Sequence, residues 1–329
     1  MADLPGQVMV RVTVGGRIHF GFQNLSLAHD RLYGGVGVGL SEPRLVLSAE
    51  PAEDVACDWP AATSYVERAV EVIGVPGANV TVERRLPRHV GLGSGTRLAL
   101  ASLVAVARAH GRPVDLREVA PDLGRGGRSG VGVATFEAGG FVVDAGHPTE
   151  LFTSAPPDEG EWTVPPVVAR HDVPDDWRFL LVTPEVERGR SGDPEDASIR
   201  SVVERADPGI ADDIALVLTR QLLPAVATGD HETFGHAVAR LSRLNGAWYA
   251  DEQGGVYRPP AGRLIDALDS IPGVSGAGQS SWGPTVYGVT HASVAETATR
   301  AARDALDDLG LEGTVRLVEA AAAGASADP

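Results

Sequence analysis

Ten residues narrow the fold more than any other part of the chain: Pro87-Arg-His-Val-Gly-Leu-Gly-Ser-Gly-Thr96. Upstream, Asn79 to Leu86 alternates apolar and polar residues, as a half-buried strand does. Downstream, Leu98 to His110 is rich in Ala, Leu and Val and meets no breaker before Gly111, as a buried helix should. A strand, a Gly-Ser-Gly loop and a helix N-terminus together make an anion site, because unpaired backbone N–H groups converge where glycines let phosphate oxygens approach. A plain tight turn is the other reading of a lone glycine-rich loop. Two further loops of this kind in the same chain favour phosphate.

The basic side chains point the same way. The chain has no lysine, and its 28 basic residues are all arginine. A P-loop needs its lysine on the phosphates, Schiff-base and pyridoxal-phosphate chemistry need a lysine amine, and ordinary protein kinases need their strand lysine. Any phosphate held here is held by backbone amides and guanidinium groups. The formal net charge of −16 repels nucleic acid, which argues against a general polyanion-binding role. Acidic, lysine-free, Ala/Gly/Val-rich composition fits a salt-loving host, and it fits codon bias alone equally well. Cys57 is the only cysteine, which leaves no intramolecular disulfide and no multi-cysteine metal site. Met1 to Pro5 lacks the basic and apolar regions of a signal peptide, and no apolar run is long enough to span a bilayer. The expectation is a soluble, cytoplasmic protein.

Along the chain, Val8, Val10, Val12 and Val14 alternate in a strand that the pattern ends at a Gly15-Gly16 turn, with a second strand over Arg17 to Asn24. Gly34 to Leu40 and Arg44 to Glu50 read as two more strands linked by Ser-Glu-Pro, and Ala61 to Ile73 as a helix. A short segment, Asp115 to Leu123, precedes a second glycine-rich loop and the strand Phe141 to Ala145. From about Pro148 to Pro174 the chain is rich in Pro, Asp, Glu and Thr without period, which marks a connection and a domain boundary near residue 160. Phe179 to Thr183 reads as a strand, and Thr314 to Glu319 as a closing one. Glu195 to Ala206, Ile210 to Val226, His231 to Leu244, Arg263 to about Ile271 and Ser293 to Leu309 read as helices. Ala320 to Pro329 reads as a disordered low-complexity tail. Strands dominate the first half and helices the second, so the class is α+β in two lobes, 1–160 and 161–319.

Gly124-Arg-Gly-Gly-Arg-Ser-Gly-Val-Gly132 holds five glycines and two arginines, so close backbone approach and positive charge coincide. A mobile surface loop is the competing reading, and the apolar Val131 to Phe136 that must pack directly after it counts against that. Gly276 to Thr285 brings two serine hydroxyls, an amide and backbone N–H groups into a third loop. Asp144 ends Phe-Val-Val-Asp beside Gly146-His147, and reads either as a site carboxylate or as a turn cap. No histidine spacing suggests zinc. Trp248, Tyr249 and Tyr257 read as packing residues, and Trp282 as the aromatic side chain nearest a substrate.

Pro87 to Ser94 with the helix behind it resembles the second signature of the GHMP kinase superfamily, and Gly276 to Gly288 stands in the place of its glycine-rich third. A nearer resemblance is to a non-kinase branch, the beta-ribofuranosylaminobenzene 5'-phosphate synthases of methanopterin biosynthesis. Arg17-Ile-His-Phe-Gly-Phe, Asp30-Arg-Leu-Tyr-Gly-Gly-Val-Gly-Val, His89-Val-Gly-Leu-Gly-Ser-Gly-Thr, Gly124-Arg-Gly-Gly, Ser129-Gly-Val-Gly-Val and Ser280-Ser-Trp-Gly-Pro-Thr-Val-Tyr-Gly carry it, and it runs from about residue 9 to 318. Tyr33 departs from it, standing where the family carries an acidic residue, and Arg128 stands where a Thr is expected. The resemblance implies a two-lobed GHMP-kinase-like fold, with an N-terminal ribosomal-S5-like α/β lobe and a C-terminal ferredoxin-like α+β lobe. It implies that phosphoribosyl pyrophosphate reacts with 4-aminobenzoate or 4-hydroxybenzoate, releasing pyrophosphate and carbon dioxide, with Mg2+ and no organic cofactor. The expected partners are these small molecules, not nucleic acid or membrane, and a homodimer is left open.

The phosphate-binding residues expected are Gly91, Gly93, Ser94, Gly95, Thr96, Arg125, Gly127, Ser129 and Gly130. The substrate-binding set is Arg31, Gly34, Gly35, Ser280, Ser281 and Trp282, and the catalytic set is Arg17, His19 and Asp144, with metal ligands unassigned. Surface ion pairs account for Arg17 and Arg31 equally well, and a satisfied core role for His19. A GHMP small-molecule kinase is the alternative reading, and a silent ligand-binding relative a third. Many such kinases carry an aspartate three residues beyond the serine of Ser-Gly-x-Asp. Gly132 stands there, and a glycine cannot take a proton.

Composition yields one expectation about conditions. Carboxylates crowded by a net charge of −16 repel one another, and salt screens that repulsion within a Debye length of ~3 Å at 1 M. Thermal melts should shift upward from low to molar KCl; a flat or falling series favours codon bias over a saline cytoplasm.

Overall fold

The computed structural model describes residues 8–154, 157–186 and 193–329. The reading of Met1 to Pro5 lies outside the described residues. The chain opens with β1 (Val10–Asn24) and β2 (Arg31–Ala52), paired antiparallel along most of their length. Gly15-Gly16 is a bulge inside β1 and not the expected turn: the register shifts between Gly15 and Arg17, and a Cβ on Gly15 would lie 1.7 Å from the Leu40 carbonyl oxygen. Ser41-Glu-Pro43 likewise leaves β2 continuous. Turns and bulges draw on the same residues, and only the partner strand separates them.

β3 (Val55–Cys57), α1 (Thr63–Ile73) and β4 (Gly77–Arg84) come next, with β4 antiparallel to the second half of β2. α2 (Ser94–Ala109), α3 (Leu116–Val119) and α4 (Val131–Ala138) lead to β5 (Phe141–Asp144), β6 (His147–Pro148) and β7 (Val167–His171). β5 pairs the first half of β2, and β7 pairs β5. The expected boundary at residue 160 is therefore displaced, since 167–171 extends the first sheet and Trp162 and Val164 are buried ahead of it. Composition marked the connection, but a sheet edge can recruit a strand that composition alone does not reveal.

The second lobe contains β8 (Trp177–Pro184), α5 (Asp193–Val203), α6 (Pro208–Val217), α7 (Leu223–Thr228), α8 (His231–Trp248), α9 (Ala250–Gln253) and α10 (Ala261–Asp269). β9 (Val274–Gln279), β10 (Val286–His291), α11 (Ala295–Asp308) and β11 (Gly313–Val318) complete it. Its antiparallel sheet has the order β11-β8-β10-β9, the ferredoxin-like arrangement in which the first and third strands lie centrally. Gly276 to Gln279, read as loop, is strand β9; only 280–285 turns. The tail is not disordered as expected. β12 (Ser326–Asp328) pairs β1, and Ala321 exchanges hydrogen bonds with Gly39 and Gly140. Its small side chains let the backbone lie flat on a sheet edge, which low complexity does not forbid.

One apolar core crosses the two lobes: Phe20 of β1 meets Tyr287 of β10 at 5.1 Å and Phe234 of α8 at 6.0 Å, both edge to face. A second core lies between the first sheet and helices α1 and α2, and a third backs the second sheet.

Arg97, in the first turns of α2, is 1% exposed. Its guanidinium donates to the carbonyls of Gly132 (2.5 Å), Gly15 (2.8 Å) and Gly16 (3.3 Å) and to Thr135 Oγ1 (2.8 Å). Burial lowers its pKa to about 9, which leaves it a cation at neutral pH. It ties the β1 bulge, α2 and α4 together. Arg97→Met leaves these acceptors unpaired in the core and should cost about 3–5 kcal/mol in chemical denaturation; a loss under about 1 kcal/mol would deny it this role.

Candidate active site

Gly93 caps α2 in the left-handed region (φ 77°), and the first helical bond runs from the Arg97 N–H to the Gly93 carbonyl. The N–H groups of Ser94, Gly95 and Thr96 thus have no intrahelical acceptor and point out of the helix end. Arg17 reaches this end from β1: Nη1 donates to the Gly91 carbonyl at 2.5 Å, and its stem lies 3.0 Å from where a Gly93 Cβ would be. On the other side, a side chain at Gly95 would meet the Tyr65 hydroxyl at 3.5 Å and Arg125 Nη1 at 3.8 Å. Arg125 stacks over the Tyr65 ring, and its buried Nε has no hydrogen-bond partner among the described residues. Ser64, Tyr65, Arg68, Ala99, Leu123 and Arg125 line a cavity of about 290 Å3 here. Cationic groups flanking a helix N-terminus suit an oxyanion.

The second glycine-rich loop is anchored from below. Asp144, wholly buried, accepts from Gly35 N (2.9 Å), Gly130 N (2.7 Å) and Ser129 Oγ (3.1 Å) on Oδ2, and from Gly146 N (2.9 Å) on Oδ1. Burial raises its pKa to about 6 against the pull of these four donors. Ser129 Oγ also stands 3.2 Å from His19 Nε2. His19 is 6% exposed; burial, then the Arg17 charge, lowers its pKa to about 3. Its backbone N–H donates to Ser280 Oγ, which donates to Gly91 O, and its carbonyl accepts from Ser281 N. Asn245 of α8 clamps the next turn of the strand, bonding both the N–H and the carbonyl of Phe22.

The structure thus brings together Arg17, His19, Gly91 to Thr96, Arg125, Ser129 and Gly130, and it corrects several assignments. Asp144 has no face open to a substrate and holds the loop in place instead. Arg31 donates to the carbonyls of Ala145 and Gly146, both at 2.6 Å, and secures the turn after β5. Gly34 and Gly35 give clearance, since a Cβ on Gly35 would sit 1.9 Å from Ser129 Oγ. Gly127 packs on Trp162, and the fully buried Ser280 joins the lobes. Ser281 and Trp282 do line a second cavity, of about 50 Å3, with His19, Phe22, Asn245, Tyr249 and Tyr257. Tyr249 and Tyr257 were expected only to pack. Arg97 and Asn245 were missed; a charge inside the apolar α2 run was the available signal for Arg97. The two departing residues meet: burial raises the Tyr33 phenol while the adjacent Arg128 lowers it, and Arg128 pairs with Asp196 of α5.

Asp144 carries a pH signature. Its folded pKa of about 6 lies above the ordinary 3.8, so the folded state holds its proton more tightly and stability falls as pH rises through that window. Wild type should gain unfolding free energy on Asp144→Asn as pH drops from 6 to 4; a constant difference over that range overturns the assignment.

Two family models match the chain, the GHMP kinases N terminal domain over residues 62–140 and the GHMP kinases C terminal domain over 222–308. The beta-ribofuranosylphenol 5'-phosphate synthase of Methanothermobacter thermautotrophicus is 35% identical over 299 residues, 85% of this chain and 88% of that one. The protein of the same name from Archaeoglobus fulgidus is 34% identical over 313 residues, 92% and 95% of the two chains. A homoserine kinase from Cytophaga hutchinsonii superposes with a TM-score of 0.65 at 15% identity, covering 99% of this chain and 100% of its own, a likeness of fold. No helix among the described residues is long and apolar enough to cross a membrane. With both GHMP domains present and a relative more than 30% identical across most of its length, the chain belongs to the beta-ribofuranosylphenol 5'-phosphate synthase family of the GHMP kinase superfamily.

Proposed function

We propose that the protein transfers a phosphoribosyl group from phosphoribosyl pyrophosphate to a 4-substituted benzoate, in methanopterin-type cofactor biosynthesis. The observation that carries this over phosphorylation is Gly132. It lies at the start of α4, where a Cβ would come 3.0 Å from Thr96 Cγ2, and its carbonyl is taken by Arg97. No side chain at that position stands beside the α2 N-terminus to take a proton from an alcohol. The relatives' name, ending in phenol phosphate, supports 4-hydroxybenzoate as the acceptor over 4-aminobenzoate.

The pyrophosphate end of the donor rests on the α2 N-terminus between Arg17 and Arg125. The C1–O bond breaks with its electron pair leaving on pyrophosphate, whose charge the helix end and the guanidinium groups stabilise. The ring carbon bearing the carboxylate attacks C1. The bond to the carboxyl carbon then breaks, its pair restores aromaticity, and carbon dioxide departs. Holding the ring over C1 supplies much of the rate. Among the described residues no group of three His, Cys, Asp or Glu side chains could hold a metal ion, and Asp144 is saturated. Mg2+ would enter on the substrate's pyrophosphate.

The test mixes pure protein, phosphoribosyl pyrophosphate and Mg2+ with 4-hydroxybenzoate or 4-aminobenzoate in high salt. Pyrophosphate and carbon dioxide should appear in equal amounts, only with a benzoate, and Gly93→Val should lose donor affinity by tenfold or more. ATP consumption with an alcohol, and neither product from any benzoate, would make it a kinase.

A further inference from the structure

We propose that Arg17 and His19 act together as a two-point gauge for the acceptor, Arg17 taking its carboxylate and His19 Nδ1 taking a hydrogen from the para substituent. The inference rests on the transferase reading and adds which ring it accepts. Between these residues the β1 register is regular, Arg17 opposite Gly39, Ile18 opposite Val38 and His19 opposite Gly37. Their side chains therefore share one face of the strand, about 7 Å apart by the rise per residue. That spacing is close to the distance between the two ends of a para-substituted benzoate. Ile18 and Phe20, on the opposite face, are buried in the core.

Hydrogen-bond logic fixes what His19 offers. Above its pKa of about 6 Asp144 is a carboxylate and can only accept, so at neutral pH the Ser129 hydroxyl hydrogen is committed to it. Ser129 Oγ also accepts from Val131 N. At 3.2 Å the His19 contact must then run from Nε2–H to Ser129 Oγ, which leaves Nδ1 with a bare lone pair. Among the described residues the ring's hydrogen bond is the one from Nε2 to Ser129 Oγ, and His19 lines the cavity shared with Phe22, Tyr249 and Trp282. The ionisable groups around it are Arg17 on β1, Arg128 beside Ser129, Asp144 behind Ser129, and the Tyr249 and Tyr257 phenols across the cavity. Burial and the Arg17 charge keep the ring neutral.

At the other end of the gauge, the Arg17 guanidinium lies at the Gly91–Gly93 loop, next to the proposed pyrophosphate position. A carboxylate held there places its ring carbon at C1. As the ring attacks, positive charge develops on the para oxygen or nitrogen, and its hydrogen bond to an uncharged acceptor strengthens in the transition state. A 3-substituted ring cannot reach both points, and a para group without hydrogen offers Nδ1 only repulsion.

The experiment compares 4-hydroxybenzoate, 3-hydroxybenzoate and 4-methoxybenzoate by kcat/KM and by calorimetric binding to wild type, His19→Asn and His19→Phe. Wild type should prefer the 4-hydroxy compound over both others by tenfold or more. His19→Asn, which keeps an acceptor near the Nδ1 position, should retain part of that preference, and His19→Phe should lose it while folding normally by circular dichroism. Nitrogen NMR of the wild-type ring should show Nε2 protonated and Nδ1 bare from pH 7 to 8, where Asp144 is ionised. Equal use or binding of the 4-hydroxy and 4-methoxy compounds, or a protonated Nδ1, overturns the gauge. If no benzoate reacts, the transferase reading fails by itself, and the NMR and binding results still decide the gauge.

Discussion

A single buried carboxylate organises the site. Asp144 ends β5 inside the protein, where an unpaired charge would be prohibitive, and the chain surrounds it with three backbone N–H groups and one hydroxyl. Those donors come from β2, from the second glycine-rich loop and from the turn after β5. Placing one aspartate therefore sets where Gly35, Ser129, Gly130 and Gly146 lie, and through Ser129 it sets the orientation of the His19 ring. Its short neighbours follow from this, since a side chain on Gly35 would strike Ser129 and one on Gly130 would crowd Asp144 itself.

Arg97 does the matching work with positive charge. Its four acceptors lie on β1, α2's neighbour α4 and the bulge at Gly15-Gly16. Because the bulge shifts the register immediately before Arg17, the same guanidinium helps aim the Arg17 side chain at the α2 N-terminus. The two buried ions, one acidic and one basic, each satisfied by backbone groups, hold the loops that a packed apolar core could not hold. The lobes then share a core through Phe20, Tyr287 and Phe234, and Ser280 and Asn245 stitch the second lobe to the strand carrying His19. A site built across two lobes needs both kinds of joint, one apolar for stability and one polar for register.

Local signals marked the α2 N-terminus. Gly93 and the helix behind it announce an N-terminus by composition and period alone, because glycine permissiveness and helix ends act over a few residues. The fold class and lobe order were legible for the same reason. Arg31, Gly34, Gly35 and Asp144 stand out in the sequence, and the structure gives each a part in holding the turns around the site, since a sequence marks a constrained position without saying whether solvent or packing imposes it. Tyr249 and Tyr257 were read as core, and the structure sets both against the His19 cavity.

What the sequence determined by itself was chemistry: no lysine, a glycine-rich loop at a helix N-terminus, no acid at Gly132, and segments that place the chain among its relatives. What only the tertiary structure decided was partnership. Whether Gly15-Gly16 is a turn or a bulge depends on β2, and whether the alanine-rich tail is loose or a strand depends on the free edge of β1. Which tautomer His19 adopts depends on an aspartate 125 residues away in the chain, reached through one serine. Backbone hydrogen bonds and buried charges take their partners from wherever the fold brings them, and those distances in space are not written in the local order of residues.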